Sequence, residues 1–107
     1  MPAKARGVRQ FQDVFGEVIP FSATIDFASV ADGDEAASDV TVSGAALGDF
    51  VMVAGSVDLV DAVLTGSVTA ANVVTVVLAN NTGAGVDLAS QTVYGVVLKK
   101  GGAFGGL

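Results

Sequence analysis

The chain has 107 residues, the length of a single domain, and valine (20 residues), alanine (17) and glycine (14) dominate it. It contains no cysteine and no histidine, which excludes disulfide bonds, zinc–sulfur sites, thiolate nucleophiles and the usual general base near neutral pH. The net charge is −6, and between residues 22 and 98 there are nine acidic residues and no basic one, which argues against a nucleic-acid partner.

Residues 1–21 combine a basic start with closely spaced phenylalanines. Asp13 and Glu17 interrupt the stretch that follows the basic start, so the segment does not have the apolar core of a secretory signal. Three interpretations stay open: a solubilising tail, an extended arm that docks on a partner protein, or a first strand packed on the same domain. The candidate partner-binding residues are Lys4, Arg6, Arg9, Phe11, Phe15 and Phe21.

Residues 22–100 alternate valine-rich runs with turn-forming residues at spacings of about ten residues, which is typical of short strands. The predicted strands cover 22–30, 39–44, 50–55, 63–70, 72–80 and 91–100, with a turn at 31–38 and a short connection at 44–49. Helix-like spacing at 57–64 is too short to indicate a helix. We expect an all-β fold, an antiparallel two-sheet β-sandwich of jelly-roll-like form with six or seven strands, followed by a flexible Gly-rich tail at 101–107.

The acidic and glycine-rich motifs do not match the patterns of a calcium loop, a glycosidase site or a phosphate-binding loop. Residues 32–35, Asp-Gly-Asp-Glu, favour an acidic turn over a weak cation site because an EF-hand needs alternating ligands and a distant glutamate. Asp58 and Asp61 lack the aromatic platforms of a glycosidase cleft, and the motif at 80–85 is not a phosphate loop. We therefore expect no catalytic residues, no metal and no cofactor, hence no enzyme. The longest apolar run, residues 73–79, is too short for a membrane span.

Two longer stretches resemble a small β-sandwich module of tailed-phage virion proteins. They are "TIDFASVADGDEAASDVTVSGAALGDFVMVAG" at 24–55 and "GSVTAANVVTVVLANNTGAGVDLASQTVYGVVLKK" at 66–100, and the resemblance as a whole covers about residues 23–98. The order of features carries the resemblance: an acidic-aromatic strand at Asp26-Phe27, an Ala/Ser-rich turn, a variable middle, and an asparagine-initiated strand from Asn72.

As a short stand-alone chain, the module resembles head decoration (cement) proteins, which sit as trimers over junctions between major capsid subunits. The resemblance implies a homotrimeric structural protein on the outer capsid surface of the virion, made in the bacterial cytoplasm, with the major capsid protein as its partner. The alternative is a phage fibre or head-fibre module that binds a host surface receptor or glycan. The resemblance carries over no catalytic residue.

Overall fold

Alternating valine-rich segments form six β-strands in the computed structural model, which describes residues 15–100. These strands are β1 (Phe15–Ile25), β2 (Glu35–Thr41), β3 (Phe50–Gly55), β4 (Val63–Ala70), β5 (Val73–Ala79) and β6 (Gln91–Lys100). Residues 15–100 contain no helix, so the predicted all-β class is confirmed. The β-branched side chains that dominate the strands are stiff and pack well on a pleated surface.

The strands build two antiparallel three-stranded sheets, ordered β1-β6-β3 and β2-β5-β4. Of the five connections between these strands, four cross from one sheet to the other, and the β4–β5 hairpin stays within its sheet. The predicted two-sheet β-sandwich is therefore confirmed. Strands that are consecutive in sequence therefore mostly lie in different sheets.

The core lies between the inner faces of the sheets, and the two central strands supply its most buried residues. Val74, Val76 and Leu78 of β5 and Val93 and Val97 of β6 are at most 1% exposed. The β5 residues recur at every second position, and Val93 and Val97 are four positions apart on the same side of β6, as the side-chain period of a strand requires. The core therefore consists mostly of small branched side chains.

A glycine lets two edge strands approach each other across the sandwich. A Cβ atom on Gly66 of β4 would lie 2.9 Å from Val53 Cγ1 and 3.0 Å from Val51 Cγ1, both on β3. Any larger residue would have to displace these valines. The glycine that interrupts the predicted strand at 63–70 is thus a packing requirement between the sheets.

Three local expectations differ from the structure. β1 begins at Phe15 and not at residue 22, so residues 15–21 belong to the first strand, which is one of the three interpretations open for residues 1–21. After Ile25 the chain leaves the sheet and keeps only a single bridge between Val30 and Val86. The predicted turn at 31–38 is too long, because β2 already begins at Glu35. The start of β2 consists of small residues that show no clear alternation of apolar and polar side chains, although Ala36 packs against the core.

A partly buried ion pair between Lys99 and Asp49 attaches the connection between β2 and β3 to β6. The Asp49 side chain is 4% exposed and accepts hydrogen bonds from Lys99 Nζ at 2.6 Å, Lys100 N at 3.1 Å and Ala46 N at 2.9 Å. Lys99 Nζ also donates to the Gly44 carbonyl at 2.8 Å. Burial alone would raise the pKa of Asp49, but the hydrogen bonds from Lys99 and the backbone outweigh it and hold that pKa below its ordinary value.

One buried polar side chain has no hydrogen-bond partner. Gln91, the first residue of β6, is 3% exposed, and neither its Nε2 nor its Oε1 atom is paired within residues 15–100. The amide faces the backbone of Gly55, where a Cβ atom would overlap it. An unpaired buried amide destabilises the folded state.

Replacement of Gln91 by Met is expected to raise the free energy of unfolding by about 1–2 kcal/mol, because it keeps the chain length and removes the unpaired amide. Urea unfolding monitored by circular dichroism measures the change. The matched variant Gln91→Glu should destabilise instead, since it introduces a buried charge. A loss of stability in Gln91→Met would mean that the amide has a partner, such as a bound water.

Replacement of Asp49 by Asn is expected to lower the free energy of unfolding by about 1–2 kcal/mol at neutral pH, because charge-assisted hydrogen bonds are lost. Since the folded-state pKa is depressed, this contribution is present above about pH 4 and is lost as the pH falls through the folded pKa. Urea unfolding at neutral pH and at about pH 2 tests the sign. Asp87→Asn, at an exposed aspartate, should change little at either pH. A difference for Asp49→Asn that persists at low pH would contradict the role of the charge.

Candidate protein-binding face

The outer face of the β1-β6-β3 sheet is apolar. The outward residues Thr24 and Thr92 at one end of the sheet are polar. Strand register places the next nine outward side chains in three rows across the sheet, hereafter the apolar face: Val18, Leu98 and Phe50; Pro20, Val96 and Met52; Ser22, Tyr94 and Ala54. None of these nine residues is charged. A shallow depression of about 300 Å³ lies between β3 and β6 on this sheet, bordered by Met52 and Tyr94.

The large side chains of the apolar face are substantially exposed. Met52 is 63% exposed, Tyr94 57%, Val18 44% and Phe50 42%. An antiparallel sheet that has one face in water normally alternates apolar inward residues with polar outward ones. Apolar residues on both sides of β3 and β6 depart from that rule, and a contiguous exposed apolar patch on a small domain is typical of an interaction surface.

The outer face of the other sheet has a different chemistry. Its outward positions on β2 and β4 are mostly small or polar: Glu35, Ala37, Asp39 and Thr41; Val63, Thr65, Ser67 and Thr69. Thr75 at the centre donates to Asp39 Oδ1 at 2.7 Å and is 2.7 Å from the Thr69 hydroxyl. The polar groups at the centre of this face are thus paired. The outward Val73 and Val77 of β5 are half-buried, so this face exposes fewer large apolar side chains than the other.

The charged residues are concentrated at the two ends of the strands. The acidic end, formed by the loops 26–34, 56–62 and 80–90 with the start of β2, has seven carboxylates and no basic residue: Asp26, Asp32, Asp34, Glu35, Asp58, Asp61 and Asp87. The opposite end, the lysine end, contains Lys99 and Lys100 with Asp49 and Glu17. Lys99 is paired with Asp49, whereas Lys100 is exposed and has no ion pair within the described chain.

The acidic motif at 32–35 forms a hydrogen-bonded turn. Asp32 Oδ1 accepts from the Gly83 backbone N–H at 3.0 Å, and Asp34 Oδ1 accepts from the Glu35 N–H at 2.9 Å. Across residues 15–100, no group of three or more acidic side chains is placed to hold a metal ion. A partly open pocket of about 460 Å³ lies beside this turn, lined in part by Asn81, Val63 and Ala79.

The predicted partner-binding residues fall into two groups. Lys4, Arg6, Arg9 and Phe11 lie outside the described residues, and Phe15 is the first residue of β1. Phe21 is half-buried on the inner face of β1, where its ring covers Gly95 of β6 and packs against the core. Phe21 therefore serves the packing of its own domain, in the way an aromatic ring shields a strand glycine.

Sequence reasoning missed the apolar face. Its signal was present in "VYGVVL" at 93–98 and "FVMVA" at 50–54, where apolar residues occupy both alternating sets of positions. Such runs indicate strands with two apolar sides. They do not indicate which side another sheet covers, so Met52 and Tyr94 could not be identified as exposed.

Comparison of the chain with models of known families, with curated proteins and with solved structures finds no match in any of the three. Within residues 15–100, no helix is long and apolar enough to cross a membrane.

Proposed function

We propose that this protein is a structural virion protein that binds the outside of a phage capsid as a decoration (cement) protein. Its partner is the major capsid protein, and it acts as a homotrimer without a cofactor or a catalytic reaction. The observation that best supports a binding role is the exposed, uncharged apolar face on one side of the sandwich. The phage capsid as the target comes from the sequence resemblance over residues 23–98.

Such a protein stabilises a shell by adding buried apolar area between subunits. Three strands about 4.8 Å apart and six residues at about 3.3 Å each give the apolar face a projected area of roughly 300 Å². A standard interface buries about 800 Å² on each partner, so a single face binds weakly. Three copies held together, each making the same contact, bind much more tightly through their high effective concentration.

The first test is the copy number of this chain relative to the major shell protein in purified particles of the phage that encodes it. Quantitative mass spectrometry should find hundreds of copies in a fixed ratio to the shell subunit, because a decoration protein covers the whole lattice. A few to a few dozen copies would favour the fibre or receptor-binding alternative. Absence from the particle would contradict a virion function.

A second test concerns the basic residues near the N-terminus. The triple variant Lys4→Gln, Arg6→Gln, Arg9→Gln should bind decoration-free shells more weakly than the wild type. The loss should shrink at high salt, because screening weakens electrostatic contacts. Circular dichroism serves as the control for an intact fold. Equal binding of the triple variant and the wild type at low salt would contradict a docking role for these residues.

A further inference from the structure

We propose that the apolar face is the surface that docks on the shell subunit, and that its counterpart there is an apolar patch bordered by carboxylates. This inference rests on the proposed function and specifies its contact surface. It differs from docking through the N-terminal residues alone, because it assigns the contact to strands β1, β6 and β3.

Exposed large side chains cluster on one sheet face, whereas the others, Leu47, Val60 and Val63, stand singly in two loops and on β4. Met52 and Tyr94 are more than half exposed on neighbouring strands in adjacent rows, with Val96 between them. Met is adaptable and Tyr supplies a large area with few rotatable bonds, and both are enriched at the centres of protein interfaces. The opposite sheet offers no comparable patch, because Val63 is its one large outward side chain with high exposure on an edge strand.

The charges on and beside the apolar face restrict the chemistry of its partner. The apolar face has no carboxylate, so a lysine or arginine of a partner buried there would lose hydration without a counter-ion. At its border, Lys100 lies two residues beyond Leu98 on β6 and therefore on the same side of the sheet. Lys100 is exposed and unpaired within the described residues. Glu17 also lies at this end, but it is on β1 and forms no ion pair with Lys100 within the described residues. The complementary surface is therefore apolar at its centre and acidic where it meets Lys100.

The small size of the apolar face favours a shell over a second copy as its occupant. A face of roughly 300 Å² is too small to hold two free copies together against the entropy of association. On a shell, the same contact is repeated by every copy of an oligomer and adds to other contacts of the chain. The carboxylates of the acidic end lie at the far end of the strands from Lys100, which makes the protein's orientation on an acidic-bordered patch unique.

The experiment compares two matched variants of the full chain, Met52→Lys and Val63→Lys. Both residues are on edge strands and are exposed to a similar degree (63% and 55%), but they lie on opposite outer faces. The probe is the empty shell of the phage that encodes this chain, assembled without the protein, and binding is measured by co-sedimentation. Met52→Lys should weaken binding by more than about tenfold, and Val63→Lys should stay within about twofold of the wild type.

A third variant tests the border of the face. Lys100→Glu should weaken shell binding, and the loss should shrink at high salt because the contact is electrostatic. If Met52→Lys does not fold, as judged by circular dichroism, Tyr94→Ser replaces it, since it removes the exposed ring without adding charge. Equal loss in Met52→Lys and Val63→Lys, or no loss in either, would overturn the assignment of the face while the wild-type result still supports the proposed function.

The remaining outcomes identify other occupants. No binding of the wild type to shells would overturn the proposed function together with this inference. An oligomer of the free protein that Met52→Lys dissociates and Val63→Lys does not would assign the face to a second copy. Hydroxyl-radical footprinting should find Met52 reactive in the free protein and protected on the shell. Protection of Met52 in the free monomer would assign the face to the chain's own segments and overturn the proposal.

Discussion

The fold depends on the interlock of two thin sheets through small branched side chains. The inner residues of β5 and β6, among them Val76 and Val97, are fully buried, and Gly66 allows β3 and β4 to approach closely. Valine contributes less buried area than larger side chains, so stability requires dense packing along the whole length of both sheets. Since four of the five connections cross between sheets, the core and the strand order form together.

That arrangement also determines where the charged residues and the exposed apolar residues lie. Strands that run antiparallel along one axis bring three loops to the acidic end and the end of β6 to the lysine end. The ion pair of Lys99 with Asp49 then fastens the β2–β3 connection beside the terminal strands. This contact holds the β2–β3 connection against β6 at the point where the lysine end borders the apolar face.

The contrast between the two outer faces is what links the structure to a binding role. On the β2-β5-β4 side, Thr75 and Asp39 satisfy each other within the sheet. On the β1-β6-β3 side, Met52 and Tyr94 remain in water, which is unfavourable for an isolated domain unless another surface covers them. The proposed structural role in a larger assembly would supply such a covering surface.

The sequence by itself determined the all-β class, the strands from β3 to β6 within a few residues, and the absence of histidine and cysteine chemistry, because period-two alternation and composition are local properties. Only the tertiary structure decided that β1 begins at Phe15, that Glu35–Ser38 pairs with β5, that Phe21 turns inward over Gly95, and that Met52 and Tyr94 stay exposed. Alternation defines two sides of a strand, but which side is buried depends on the sheet packed against it. Residues distant in sequence therefore determine which side of each strand is buried. They also determine that seven carboxylates lie at one end of the sandwich, because that end is formed by three separate loops.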